Sequence, residues 1–158
     1  MLDYIEHSVM ILLFSILDFA VWSEYYNSNT NDGDCQNYGY RQLNNNGDYI
    51  DITSGGHSYD DNERCYWGIY APGAQKLEFQ LTSDLRVSSW YNTDKGITRD
   101  FLKVYLGVGK GAYNVLEFKS SYNKKCCWEY EAELMSLFWS TNSNGDAYGF
   151  DARITRIG

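Results

Sequence analysis

The sequence is short of positive charge: 158 residues carry 13 Lys+Arg against 21 Asp+Glu, a formal net charge of −8. A nucleic-acid-binding chain needs clustered Lys and Arg to neutralise phosphates. Here the only doubled basic pair is Lys124-Lys125, so nucleic acid is excluded as a partner. Histidine occurs only at His7 and His57, far apart, and there is no Cys-x-x-Cys; that spacing disfavours a zinc centre. It also leaves His57 as the one candidate general base beyond the N-terminal segment. No Gly-x-Ser-x-Gly elbow surrounds Ser54 or Ser58, as an exposed serine nucleophile would need. Carboxylates are too common in this acidic chain to single out a pair for glycoside cleavage. The sequence therefore reads as non-catalytic. No Asn-x-Ser/Thr triplet occurs despite the abundance of Asn, which removes N-linked glycans from the surface.

Long apolar runs are absent save one, Val9 to Leu17, extended by Phe19-Ala20-Val21-Trp22. It is interrupted by Asp18 and falls short of the ~20 residues a membrane helix needs. The length suits the core of a signal peptide, with Val21 and Ser23 small enough for a cut before Glu24. Against this, Met1 to Ser8 holds Asp3 and Glu6 but no Lys or Arg. Two expectations stand: residues 1–23 are a cleaved leader, or they are retained as an assembly element or membrane anchor. A membrane is a partner only in the second case.

The four cysteines, Cys35, Cys65, Cys126 and Cys127, fit disulfides in an exported chain. Four allow three connectivities, and the scheme joining the neighbours Cys126 and Cys127 is disfavoured because such a bond is strained.

What the chain does have is aromatic density: 17% Phe, Trp and Tyr, 15 of them Tyr, within 44% hydrophobic residues. Tyr favours strands. Residues 24–48 are polar, with little periodicity, and read as an arm or linker tied down at Cys35. From Tyr49 the pattern becomes short alternations broken by turn residues: Tyr49 to Ile52, Cys65 to Tyr70, Lys76 to Leu81, Asp100 to Leu106, Val115 to Phe118, Trp128 to Trp139 and Phe150 to Ile154. Alternation puts Leu77, Phe79 and Leu81 on one face, and Leu102, Val104 and Leu106 on another. Strand-length segments at this spacing, with no clear amphipathic helix after residue 23, predict an antiparallel two-sheet β-sandwich or barrel over residues 49–158. The Glu129 to Leu137 stretch is rich in helix formers and is the weakest of these strands.

The run Cys65-Tyr66-Trp67-Gly68-Ile69-Tyr70-Ala71-Pro72-Gly73, followed by Lys76-Leu77-Glu78-Phe79, resembles the centre of the CUB domain, an extracellular jelly-roll β-sandwich. Ser54 to Tyr59 resembles its Ser-Pro-x-Tyr-Pro loop without the prolines. Asp100 to Val104 resembles its Asp-x-Leu-x-Ile strand, and Phe138-Trp139-Ser140 with Gly149-Phe150-Asp151-Ala152 its closing strands. The likeness runs in order from about Cys35 to Arg156. It implies a Cys35–Cys65 disulfide and a core role for Trp67. The family's third cysteine is missing, with Ile97-Thr98-Arg99 in its place, so Cys126 and Cys127 are expected to be free, bonded to each other or bridged between molecules. The family often binds Ca²⁺ at one edge, where the ion holds a basic ligand side chain. Asp100 matches one ligand position and Ser143 another, while Arg86 and Thr141 occupy two positions where the family has acids. The resemblance thus implies an Asp100–Arg86 ion pair in place of the metal, with Ca²⁺ as the alternative.

Ser140-x-Asn142-x-Asn144-Gly145 reads as a turn rather than a calcium loop, and Asp60-Asp61-Asn62-Glu63 as a solvated charge run. Trp90 and Tyr91, flanked by Ser88-Ser89 and Asn92-Thr93, are candidates to bury in a partner or stack on a sugar. Two functions follow. One is a secreted, non-catalytic module that associates with copies of itself in a filament, coat or matrix, with residues 1–23 adding to a neighbour's sheet edge. The other is a recognition module that binds an extracellular protein or glycan through Trp90, Tyr91 and Asp100.

Overall fold

The computed structural model describes residues 35, 39–55, 61, 63–87, 100–107, 111–124, 127–142 and 148–158. Residues 1–34, His57, Trp90, Tyr91, Cys126 and Ser143 lie outside the described residues.

Among the described residues there are nine strands and no α-helix. One sheet contains β1 (Gly39–Gln42), β3 (Arg64–Tyr70), β8 (Leu134–Ser140), β5 (Phe101–Leu106) and β6 (Tyr113–Phe118), in the order β1-β3-β8-β5-β6. The other contains β2 (Tyr49–Thr53), β9 (Asp151–Ile157), β4 (Lys76–Leu81) and β7 (Cys127–Tyr130), in the order β2-β9-β4-β7. All pairings are antiparallel except β1 with β3. The predicted two-sheet architecture holds.

Period-2 alternation decides which residues enter the core. On β4, Leu77, Phe79 and Leu81 are buried, while Lys76, Glu78 and Gln80 are only partly so. On the opposing sheet Trp67 and Ile69 of β3, Met135, Leu137 and Trp139 of β8, and Leu102 and Val104 of β5 face inward with no exposed surface. Aromatic rings join the two layers. Phe150 meets Trp67 and Trp139 edge-on at 5.8 and 5.3 Å, and Phe118 of β6 meets Trp128 of β7 edge-on at 5.6 Å. Edge-on and offset stacks are the favoured geometries of ring quadrupoles. Trp67 thus has the core position the resemblance implied.

Three expectations change. The Trp128 to Trp139 segment is two strands, β7 and β8, in different sheets, and its helix formers are overridden by burial of Met135, Leu137 and Trp139. The arm does not extend to residue 48, because Gly39–Gln42 pairs with β3 and Leu43 is buried. The Asn44 to Asp48 turn is fastened to β9: Arg156 donates to the carbonyls of Leu43 and Asn44 at 3.1 and 2.7 Å. Gly47, at φ 84°, supplies the left-handed residue of this turn, a conformation that costs a side-chain-bearing residue more. Finally, Glu63 of the acidic run is fully buried, whereas Asp61 is exposed.

Cys35 and Cys65 are disulfide-bonded, 30 residues apart. Cys127 is exposed on the edge strand β7. Closing a loop of that length restricts the unfolded chain and is worth about 3–4 kcal/mol. The Cys35→Ser/Cys65→Ser variant is expected to lose stability of that order in urea unfolding; an unchanged midpoint and slope would show that the bond is dispensable.

Asp48 gives an acid-dependent contribution. Its Oδ2 accepts backbone N–H groups from Asn45 at 2.7 Å and Asn44 at 2.9 Å. The Asn45 N–H, ahead of the opposing effect of desolvation, holds its carboxyl below the ordinary 3.8. A depressed folded value means the stabilisation is present above 3.8 and is lost as pH falls through the folded value. Asp48→Ala should therefore melt below wild type near neutrality, with the gap closing at pH values below 3.8. A gap that stays constant with pH assigns the loss to something other than this carboxylate.

Candidate functional site

The ladders β3–β8 and β8–β5 end together, with Ser140 opposite Arg64 on one side and Phe101 on the other. One position further on, Glu63, Thr141 and Asp100 fall side by side. Their parity is that of Cys65, Trp139 and Leu102, so all three point inward. Each has no exposed surface, and Asn142 has 2%. The sequence has built a buried polar row across the end of an aromatic core.

A buried carboxylate is tolerable only with hydrogen-bond partners. Trp139 Nε1 donates to Glu63 Oε2 at 2.9 Å. The Glu63 N–H donates to Thr141 Oγ1 at 2.7 Å, and the Thr141 N–H to the Glu63 carbonyl at 3.0 Å. At the other side of the row the Asn142 N–H donates to Asp100 Oδ1 at 2.6 Å. The row therefore clamps the starts of β3 and β5 to the end of β8. The four-stranded sheet supplies a matching clamp: Ser54, fully buried, accepts the Phe150 N–H on its Oγ at 2.9 Å and donates its own N–H to the Phe150 carbonyl at 3.1 Å.

Arg86 lies at the same end. Its backbone bridges Gly149 with bonds of 2.7 and 3.1 Å, and its guanidinium sits 5.4 Å from the ring centre of Tyr148, which is 56% exposed. Among the ion pairs of the described residues, the expected Asp100–Arg86 pair is not found. Asp100 turns inward to the Asn142 N–H, and Arg86 turns outward onto Tyr148. Asp100, expected at a partner surface, is buried and accepts the Asn142 N–H on Oδ1. Trp90, Tyr91 and Ser143 fall outside the described residues.

Sequence reasoning missed Glu63 and Tyr148. The signal for Glu63 was present: stepping back by two from Ile69, Trp67 and Cys65 lands on residue 63, on the inward face. Its neighbours Asp60 and Asp61 made it look solvated. Tyr148 carries no comparable mark in a chain with 15 Tyr.

Glu63 also lies beside the disulfide, its carboxylate oxygen and the sulfurs of Cys35 and Cys65 within 4.8 Å of one another. Sulfurs bonded to each other offer no thiolate to a metal, so this trio is not a metal centre while the bond is intact.

No protein-family model and no curated protein sequence matches the chain. Solved structures do. The CUB1-EGF-CUB2 domains of rat MASP-1 align with a TM-score of 0.56 at 17% identity, over 75% of this chain and 43% of that one. The chain has a CUB-like fold. The MASP-1 CUB2 domain bound to Ca²⁺ aligns at 0.54 and 9% identity, over 73% of this chain and 96% of that one. The full extracellular region of zebrafish Gpr126/Adgrg6 aligns at 0.53 and 15% identity, over 75% of this chain. This chain spans 15% of the zebrafish region and 43% of the rat fragment.

One CUB neighbour holds Ca²⁺, so the donor set here bears testing against that ion. Ca²⁺ takes about six to eight oxygen ligands and favours charged ones. Of the three acidic positions carried by the resemblance, only Asp100 is an acid; Arg86 and Thr141 hold the others. The Asp100 carboxylate and the Thr141 hydroxyl already accept backbone N–H groups. Among the described residues of that set, one carboxylate and one hydroxyl are a poorer donor set than Ca²⁺ favours.

Trp139→Phe keeps a ring in the core but removes the donor to Glu63. Leaving a buried hydrogen-bond acceptor without its donor costs about 1–3 kcal/mol, so a loss of that order is expected in urea unfolding. A loss well under this range would mean that the indole N–H contributes little to holding Glu63.

Proposed function

We propose that this chain is a non-catalytic extracellular interaction module that binds a protein or glycan at the polar-row end of its sandwich. The observation that carries the reading is convergence. The chain leaves the described strands after Gly55, Val87 and Asn142 and returns at Glu63, Asp100 and Tyr148, all around one internally clamped end. Connections displayed from a rigid scaffold are the usual location of recognition surfaces. Tyr148 offers an exposed ring there with a cation across it, the amphipathic kind of group enriched at binding hot spots. The buried disulfide supports an oxidising compartment, and the extracellular region of Gpr126/Adgrg6 among the fold's neighbours agrees with that placement.

A second reading, self-association, is favoured by a different observation. The edge strands β2 and β6 carry Tyr49 and Tyr113 at 54% and 71% exposure, and Cys127 is exposed on the edge strand β7. Light scattering of the full chain over a concentration series, without reductant, separates the two. A constant monomer mass supports recognition of a different molecule, and a mass that climbs with concentration supports self-association.

For recognition, the full chain would be screened against immobilised glycans and extracellular proteins. Tyr148→Ala is expected to weaken a specific interaction about tenfold, as loss of a central aromatic does, with an unchanged melting temperature. Binding indifferent to both Tyr148→Ala and Arg86→Ala would place the surface elsewhere.

A further inference from the structure

We infer that the clamped end of this sandwich is ordered without a divalent ion, because the Glu63–Thr141–Asp100 row performs internally the cross-linking that a bound cation would perform between the same strands. A cation at the end of a sheet gathers carboxylates from separate segments and cancels their repulsion. Here that task is divided among groups already in the chain. Glu63 is held by the Trp139 indole, and its backbone exchanges bonds of 2.7 and 3.0 Å with Thr141. Asp100 is held by the Asn142 N–H at 2.6 Å. Thr141 and Asn142 are consecutive, so the two carboxylate-bearing segments are tied through a single dipeptide at the end of β8.

Charge and geometry agree with this assignment. Arg86 places a guanidinium on Tyr148 at this end, a positive charge at a position where the resemblance has an acid. Thr141 in place of an acid removes a negative charge and supplies a hydroxyl acceptor that fits the Glu63 N–H. The two positions that depart from the resemblance's acids, Arg86 and Thr141, lie at the same end as the inward Glu63. Order at this end then depends on internal hydrogen bonds and not on the calcium concentration outside the cell.

The experiment is the melting temperature of the full chain in saturating CaCl₂ and in EDTA, with calorimetric titration of CaCl₂ into the chelated protein. An ion bound at ~100 times its dissociation constant would raise the melting temperature by roughly 8 °C in a domain of this size. The expected shift is under about 1 °C, with no binding heat beyond dilution. Thr141→Val, which removes the acceptor for the Glu63 N–H, is expected to lower the melting temperature equally in both buffers. A rise in calcium that disappears in Asp100→Asn would overturn the inference by placing an ion on Asp100. A rise that persists in Asp100→Asn would overturn it by placing an ion elsewhere. Thr141→Val without effect would refute the row's cross-linking role. If the variants fail to fold, the wild-type titration still decides calcium dependence. Because the readout is stability, its failure is distinct from failure of the proposed recognition surface, which is read by partner binding at Tyr148.

Discussion

The register between β3 and β8 is the constraint on which the rest of the domain depends. Its pairs run from Arg64 opposite Ser140 to Tyr70 opposite Leu134. That register sets Trp67 opposite Leu137 and Cys65 opposite Trp139. It turns Trp67, Ile69, Leu137 and Trp139 to the core and carries Glu63 to Thr141 at the end. A slip of one residue would put every one of these side chains on the wrong face. Trp139 would leave Phe150, and Glu63 would lose its indole donor. β1 and β5, on either side of the pair, inherit their positions from it.

The alternating strands were legible because their burial is local in origin: Leu77, Phe79 and Leu81 announce an inward face without reference to any other segment. What was not legible depends on distant partners. β1 is a short piece of Gly39, Tyr40, Arg41 and Gln42 in which polar residues hide the pattern, and only its parallel pairing with β3 makes it a strand. Glu63 reads as one more charge in an acidic run, and its burial is decided by an indole 76 residues away. The Cys35–Cys65 pairing came from resemblance, since counting cysteines leaves three connectivities open. The same resemblance brought Arg86, Asp100 and Thr141 to one end. Which way Asp100 and Arg86 turn was set by Asn142 and Tyr148, which no motif flags.

The two outer faces of the sandwich differ in chemistry. On the four-stranded sheet, Arg153 makes a two-pronged bond to Asp51 at 2.7 and 2.9 Å and lies 3.9 Å over the Tyr49 ring, and Lys76 meets Glu129 at 2.7 Å. Charges interspersed in this way keep an antiparallel face compatible with water. On the five-stranded sheet, Tyr66, Phe138 and Phe101 form a row of rings at 6.4 and 5.6 Å, with Lys103 at 4.7 Å from Phe101. Glu117 also pairs with Lys103 and Lys119 on this sheet, at 3.1 and 3.0 Å, so both sheets of this acidic chain carry paired charges.

The disulfide has a mechanical consequence. Cys35 is joined to Cys65 at the start of β3, so the intervening backbone, which holds β1 and β2, is a covalently closed loop. Tension entering from the N-terminal side crosses the sulfur–sulfur bond and arrives in β3, leaving the loop slack. β1 and β2 are thereby shielded from load, and the force is delivered to the β3–β8 ladder, the pairing with Trp67 and Trp139 behind it. In a molecule pulled between a tether and a partner, the first strands of the sandwich would be passengers and its central pair the bearing element.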